Sequence, residues 1–108
     1  MSKLEAAFEH EMETTYHEAA KLGYRATYFL RMVREHGGVE TAHRLLAASG
    51  SSEGLGRLWE LGRLDISLEA LVLKPEYASL FTNEERRIAR ERLAEMNYRA
   101  PWESEGAR

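Results

Sequence analysis

Cysteine is absent from the 108-residue sequence, and long apolar runs are absent as well. Without cysteine there are no disulfide frameworks, thiolate metal sites or cysteine nucleophiles. No stretch approaches the roughly 20 consecutive apolar residues that span a bilayer. Residues 1–13 are acidic and mixed, without the apolar segment of a signal peptide. These absences predict a soluble, cytoplasmic protein that has no membrane partner.

The residue patterns of common catalytic and cofactor sites are also missing. The sequence contains no G-x-G-x-x-G, no Walker loop, no H-E-x-x-H and no G-x-S-x-G. Gly54, Gly56 and Gly62 lie within or just after a predicted helix, and no predicted strand precedes them. The sequence therefore predicts no catalytic residue and no cofactor.

The nearest approach to a metal-ligand set is formed by His10, Glu13 and His17. On a helix these side chains project within about 60° of one another, across two turns. They lie opposite the apolar stripe of that helix, as solvated side chains do. We predict that they bind no metal.

Composition indicates one globular domain. Hydrophobic residues make up 44% of the sequence and charged residues 31%, and a chain of this length forms one core. We predict a single helical domain over residues 1–98. Residues 99–108 contain Pro101 and Gly106 without any periodicity, so they predict a mobile tail from which Trp102 docks onto the domain.

A 3.6-residue apolar period runs through every substantial segment. It predicts an all-α fold, a compact bundle of about five or six short helices. The helices are expected near residues 2–22, 24–36, 39–49, 68–73 and 82–97, with a fourth helix between the cap at residues 50–52 and Gly62 and a further helical turn over 75–81. A strand over 71–73 is the weaker alternative.

Several residue types predict where these helices begin and end. Thr82 and Glu85 form a capping box, and Ser67 is a candidate N-cap. Gly23 suits a helix C-terminus, and the pair Gly37-Gly38 ends the second helix. Residues 50–52 (Gly-Ser-Ser) offer an N-cap to the fourth helix.

Charge is distributed unevenly along a chain whose net charge is −3. Overall acidity argues against a strongly basic nucleic-acid binder, yet it leaves room for a local basic face. Arg86, Arg87 and Arg90 project within about 100° of one another on the last helix, which predicts an electrostatic contact surface. The alternative is a solvated face with i,i+4 pairs such as Arg87 with Glu91.

A second candidate surface lies on the predicted second helix. Helical projection places Tyr24 and Tyr28 with Arg31 and Glu35 on its polar side. Exposed tyrosines beside arginine are typical of partner-binding or base-stacking surfaces. Contact with another helix of the same domain is an equal alternative. Trp59, at helical spacing from apolar neighbours, indicates core or interface packing.

An enzymatic alternative would use His36, His43 and Asp65. The two histidines lie close to the Gly37-Gly38 turn, where capping or boundary roles are the simpler interpretation. Asp65 follows a tight turn and has no evident acid–base partner in the sequence. A closed pocket lined by all three side chains would favour this alternative.

Three stretches together carry a resemblance to a known family. They are Gly37–Ala42; Gly62–Asp65 with Glu69–Leu73; and Leu80–Thr82 with Glu85 and Ala89–Leu93. Over most of residues 14–98 the chain resembles an uncharacterised family of small bacterial all-helical proteins, found alone or appended to nuclease-like proteins. The resemblance implies an accessory role near nucleic-acid or defence functions. It supplies no catalytic motif to carry over.

Together these observations predict a non-enzymatic interaction module, an accessory subunit of a nucleic-acid-processing or defence assembly. Its expected partner is a protein, with nucleic acid as a second candidate. A purely structural, self-associating subunit is the third alternative. The oligomeric state is left open.

Overall fold

The computed structural model describes residues 2–49 and 53–103, and helices make up all the regular structure of these two ranges. The α-helices are α1 (Lys3–Lys21), α2 (Thr27–His36), α3 (Gly38–Ala47), α4 (Glu53–Glu60), α5 (Leu68–Val72) and α6 (Asn83–Ala94). Two 3₁₀ helices cover Leu64–Ile66 and Pro75–Leu80. No strand occurs in the two described ranges, so the predicted all-α bundle of short helices is confirmed. Nor is any helix in these ranges long and apolar enough to cross a bilayer.

The core is built around α1. Its buried residues recur every three or four positions, at Phe8, Met12, Thr15 and Ala19. This face packs against α2, α3, α5 and the second 3₁₀ helix. The Phe8 ring meets the rings of Tyr77 and Phe81 edge-on, each with centroids 5.1 Å apart. Edge-to-face pairs of this kind add to the burial of apolar area, and they fix the second 3₁₀ helix on α1.

The second helix begins at Thr27, so the prediction that it starts near Tyr24 was wrong. The backbone N–H of Tyr24 donates to Ala19 O at 2.9 Å, and that of Gly23 donates to Ala20 O at 3.0 Å. Gly23 has φ +97°. This is the Schellman arrangement that satisfies the last carbonyls of a helix. Tyr24 therefore belongs to the end of α1 and cannot also open α2.

Two predicted N-caps are confirmed. Thr82 accepts from Glu85 N while Glu85 accepts from Thr82 N, both at 3.0 Å. Ser67 accepts from Ala70 N at 3.1 Å and opens α5. The same reciprocal capping box occurs at Ser2, at the start of α1. The N-cap predicted within residues 50–52 lies outside the described residues.

The start of α3 depends on a side chain of α1. Gly37 has φ +87°, a left-handed conformation that favours glycine. Gly38 N then donates to Glu9 Oε1 at 3.0 Å, so a carboxylate from another helix satisfies one of the orphan N–H groups. A Cβ on Gly38 would lie only 2.6 Å from Glu9 Cα. Glycine at this position lets the two helices touch.

The last helix ends at Ala94, three residues before the predicted Asn97. Asn97 has φ +57°, and Tyr98 N donates to Leu93 O at 3.0 Å. Asparagine tolerates this left-handed conformation better than most residues. The polypeptide turns here rather than continuing as a helix.

Residues 99–103 lie against the bundle. Ala100 is buried, and the Trp102 indole N–H donates to Ala70 O at 2.8 Å. Lys74 Nζ lies 4.9 Å from the centroid of the Trp102 ring. Trp102 thus docks as the sequence analysis expected. Residues 104–108 of the predicted tail lie outside the described residues.

Candidate functional site

The arginines of α6 are largely matched by carboxylates. Arg87 binds both Glu84 and Glu91 on its own helix. Arg90 binds Glu103, its Nε lying 2.5 Å from Oε1. The Nε of Arg86 is buried and has no hydrogen-bond partner among the described residues. The three side chains share the helix as predicted, but two of their charges are compensated locally.

The other predicted surface is divided between a linker and a helix. Tyr24 lies half-buried between α1 and α2, with the Arg57 guanidinium 4.9 Å from its ring centroid. Tyr28 and Arg31 are exposed on α2. Among the described residues, neither Arg31 nor the neighbouring Arg25 has a carboxylate oxygen within 4.0 Å. This segment therefore presents cationic groups for which the described part of the chain supplies no carboxylate partner.

The three residues of the enzymatic alternative do not meet. An open groove of about 380 Å³ is lined by His36 and His43, together with Glu9 from α1. Asp65 does not line it among the described residues, and its carboxylate binds Arg63 Nε at 3.0 Å. The Nδ1 of His43 lies 2.5 Å from Glu85 Oε2. Glu5 and Glu40 also line this groove, so its carboxylates outnumber its histidines.

The weak metal-ligand set of α1 does not converge. Glu13 lies 4.0 Å from Arg34 Nε, and the His17 ring packs edge-on against Tyr16. Throughout residues 2–49 and 53–103, no group of three histidine, aspartate or glutamate side chains is arranged to hold a metal ion.

A smaller cavity lies within the bundle, and all six α-helices contribute residues to its lining. Its volume is about 70 Å³. Its walls are largely apolar and aromatic, formed by Tyr16, Ala19, Tyr24, Phe29, Leu55 and Leu58. Concave apolar sites with a few polar groups are where small ligands and side chains bind. This is the candidate functional site.

Two charged residues line the deep side of this cavity. Glu69 Oε2 lies 3.3 Å from Arg92 Nη1, and both side chains are more than 90% buried. Arg92 also donates to three carbonyls at the end of α3, those of Leu45 (3.1 Å), Leu46 (3.4 Å) and Ala48 (2.7 Å). Burial raises the pKa of the Glu69 carboxyl above its ordinary value, against the opposing effects of a backbone hydrogen bond and of Arg92.

Comparison of the chain with models of protein families, with curated proteins and with solved structures finds no match.

Sequence reasoning missed Glu69 and Arg92, although a signal for both exists. Glu69 is the one charged residue in the stretch Leu68–Leu73. Arg92 lies three residues after Ala89, which faces the core, so helical projection places it on the buried side of α6. Two segments that each carry a charged residue at a position where the pattern calls for an apolar one predict a buried ion pair.

Proposed function

We propose that this chain is a non-enzymatic interaction module that binds a segment of a partner protein around Tyr24. The carrying observation is that three features occur together around the connection between α1 and α2: a cavity, exposed apolar side chains, and arginines that have no carboxylate partner among the described residues. We call this surface the Tyr24 face; it consists of Leu22, Tyr24, Arg25, Tyr28 and Arg31.

The apolar part of the Tyr24 face comes from Leu22 and Tyr28. Tyr28 is 68% exposed and Leu22 45% exposed, and only Trp59 joins them as an exposed large hydrophobic residue in the described part of the chain. Tyr28 directly precedes Phe29, which lines the cavity. Aromatic anchors beside a pocket are typical of the energetic centre of an interface.

The charged part of the Tyr24 face indicates what the partner carries. Arg25 and Arg31 are exposed in a chain whose net charge is negative. Charge complementarity across an interface raises the association rate and selects the partner. A partner segment with carboxylates beside an uncharged anchor residue fits this surface.

The remaining alternatives receive less support from the geometry. Contact with phosphates through Arg86, Arg87 and Arg90 would require Arg87 and Arg90 to leave their carboxylates. An enzyme built on His36, His43 and Asp65 would require residues that line different parts of the surface. An accessory role in a nucleic-acid-processing or defence assembly is the wider setting that the sequence resemblance implies.

Affinity capture from cells of the native host, with matched variants, tests this proposal. The baits are the wild-type chain, Arg25→Glu/Arg31→Glu, Tyr28→Ala and, as the charge-matched control, Arg87→Glu/Arg90→Glu. All four are first shown by circular dichroism to be folded. We expect the partner bound by wild type to be lost at least tenfold from the first two variants and retained by the control.

The opposite result would move the partner surface to α6. If the control loses the partner and the Tyr24-face variants keep it, the proposal is wrong. Nuclease treatment of the same eluates shows whether nucleic acid mediates the capture. If the only captured protein whose recovery depends on the Tyr24 face is a second copy of this chain, the chain binds itself. That result would contradict the proposal of a different partner.

A further inference from the structure

The deep cavity has a polar lining whose hydrogen-bonding capacity is unequal. Thr15 donates its hydroxyl proton to Ile66 O at 2.7 Å, and Ser67 donates to Leu64 O at 2.7 Å. Both terminal nitrogens of Arg92 donate to backbone carbonyls, and Nη1 also donates to Glu69. The hydroxyl protons of Thr15 and Ser67 and both terminal nitrogens of Arg92 are therefore committed inside the protein.

Acceptor capacity, by contrast, is in excess. A carboxylate offers about four lone-pair sites. Among the described residues, the one side chain that donates to Glu69 is Arg92, at 3.3 Å. The Glu69 carboxylate also accepts from its own backbone N–H, and its near-complete burial keeps bulk water from the remaining lone pairs. A group that enters the cavity therefore meets an acceptor, while the terminal nitrogens of Arg92 are already engaged.

The charge of the entering group determines which chemical class fits the cavity. A cation would face the Arg92 guanidinium as well as Glu69, and its burial would require desolvation of a third charge. An anion would face Glu69 and would find the terminal nitrogens of Arg92 already engaged. An uncharged hydroxyl or amide escapes both penalties.

Size narrows the class further. The cavity, at about 70 Å³, has about half the volume of an engineered cavity of ~150 Å³ that admits benzene. It accommodates about three to five non-hydrogen atoms. The apolar walls require that most of them be carbon.

We propose that the cavity binds an uncharged group of this size, with an aliphatic body and one hydrogen-bond donor directed at Glu69. In a partner segment, the threonine side chain has this composition. The inference rests on the proposed function, because it names the anchor that the Tyr24 face would receive. The ligand class can nevertheless be tested without the partner.

Isopropanol, acetone, isopropylammonium and acetate are the probes. Each has four non-hydrogen atoms, but only isopropanol is an uncharged donor. They are titrated into the full chain while amide resonances of lining residues such as Ala19, Phe29 and Leu58 are followed by NMR. We expect saturable shifts with isopropanol and at least tenfold weaker binding of the other three.

Two substitutions of alanine by leucine provide the controls. Ala26→Leu enlarges a side chain that lines the cavity and should abolish isopropanol binding. Ala7→Leu makes the same change at an exposed position of α1 and should leave binding unchanged. Neither alters the charge of the protein.

Each contrary result has a definite meaning. Acetone binding as tightly as isopropanol would refute the requirement for a donor. Tighter binding of isopropylammonium than of isopropanol would show that the site selects a cation, which would refute an uncharged ligand. Absence of saturable shifts with isopropanol, or full binding by Ala26→Leu, would refute the site. If the site fails while Arg25→Glu/Arg31→Glu still loses the partner, the proposed function stands without this anchor.

Discussion

Gly38 is the residue at which α1 and α3 touch. A Cβ there would lie 2.6 Å from Glu9 Cα and 3.0 Å from Glu9 Cβ, so one helix would have to move. Overpacking of this kind costs about 1–3 kcal/mol. We expect Gly38→Ala to lower the free energy of unfolding by that amount, measured by urea denaturation.

Gly56 is the matched control for this substitution. It lies within α4, and a Cβ added there would meet nothing within 4 Å. Because alanine is about 1 kcal/mol better than glycine in a helix interior, Gly56→Ala should stabilise the protein. Equal stability of Gly38→Ala and wild type would show that the contact between α1 and α3 is not tight.

Residues such as Gly38 show where sequence reasoning stops. The Gly37-Gly38 pair predicted a helix boundary correctly, because glycine acts locally on the backbone. The reason that Gly38 must lack a side chain is Glu9, which lies 29 positions earlier in the chain. Nothing in the local pattern indicates that contact, because it is created only when two helices pack.

At the scale of the element, two of the four arginines of α6 have opposite surroundings. Arg92 is buried, binds Glu69 and donates to three carbonyls of α3. Its replacement would leave Glu69 as an uncompensated buried carboxylate and would orphan those carbonyls. Breaking a buried pair in this way costs about 3–5 kcal/mol. We expect Arg92→Met to lower the melting temperature severely or to prevent folding.

Arg87 provides the comparison on the same helix. Its partners, Glu84 and Glu91, are exposed. Exposed pairs of this kind contribute little, since solvent screens them. Arg87→Met should therefore leave the thermal melt nearly unchanged. Similar losses for both variants would mean that the arrangement around Glu69 contributes no more than a surface pair.

Elements were largely predictable from periodicity and capping chemistry, while the candidate site was not. Thr82 and Ser67 marked helix starts correctly because an N-cap depends on residues within one turn. The start of α2 was misplaced because Tyr24 is engaged with the end of α1. Spacing placed Arg90 on a stripe of α6, but its partner Glu103 comes from a segment that has no periodicity.

At the scale of the whole molecule, the two tryptophans are expected to contribute differently to stability, because one is docked on the bundle and the other is exposed. Trp102 packs on α5 through its hydrogen bond to Ala70 O, and Lys74 lies over its ring. Loss of this partly buried side chain should cost about 2 kcal/mol. We expect Trp102→Ala to lower the midpoint of urea denaturation.

Trp59, which is 57% exposed, is the control for the same substitution. Substitutions at exposed positions change stability little, so Trp59→Ala should denature like wild type. Acrylamide should quench the Trp59 fluorescence of Trp102→Ala efficiently and the Trp102 fluorescence of Trp59→Ala poorly. Equal quenching in the two variants would contradict the docking of residues 99–103.

The contacts of Arg92 also bear on the order of events during synthesis. The donor to the carbonyls of Leu45, Leu46 and Ala48 is Arg92, which lies 44–47 positions further along the chain. At about 5–20 residues per second, that interval is roughly two to nine seconds. The first three helices thus leave the ribosome with the end of α3 uncapped and Glu69, once it emerges, without its cation. The nascent chain acquires its native stability only after α6 has emerged.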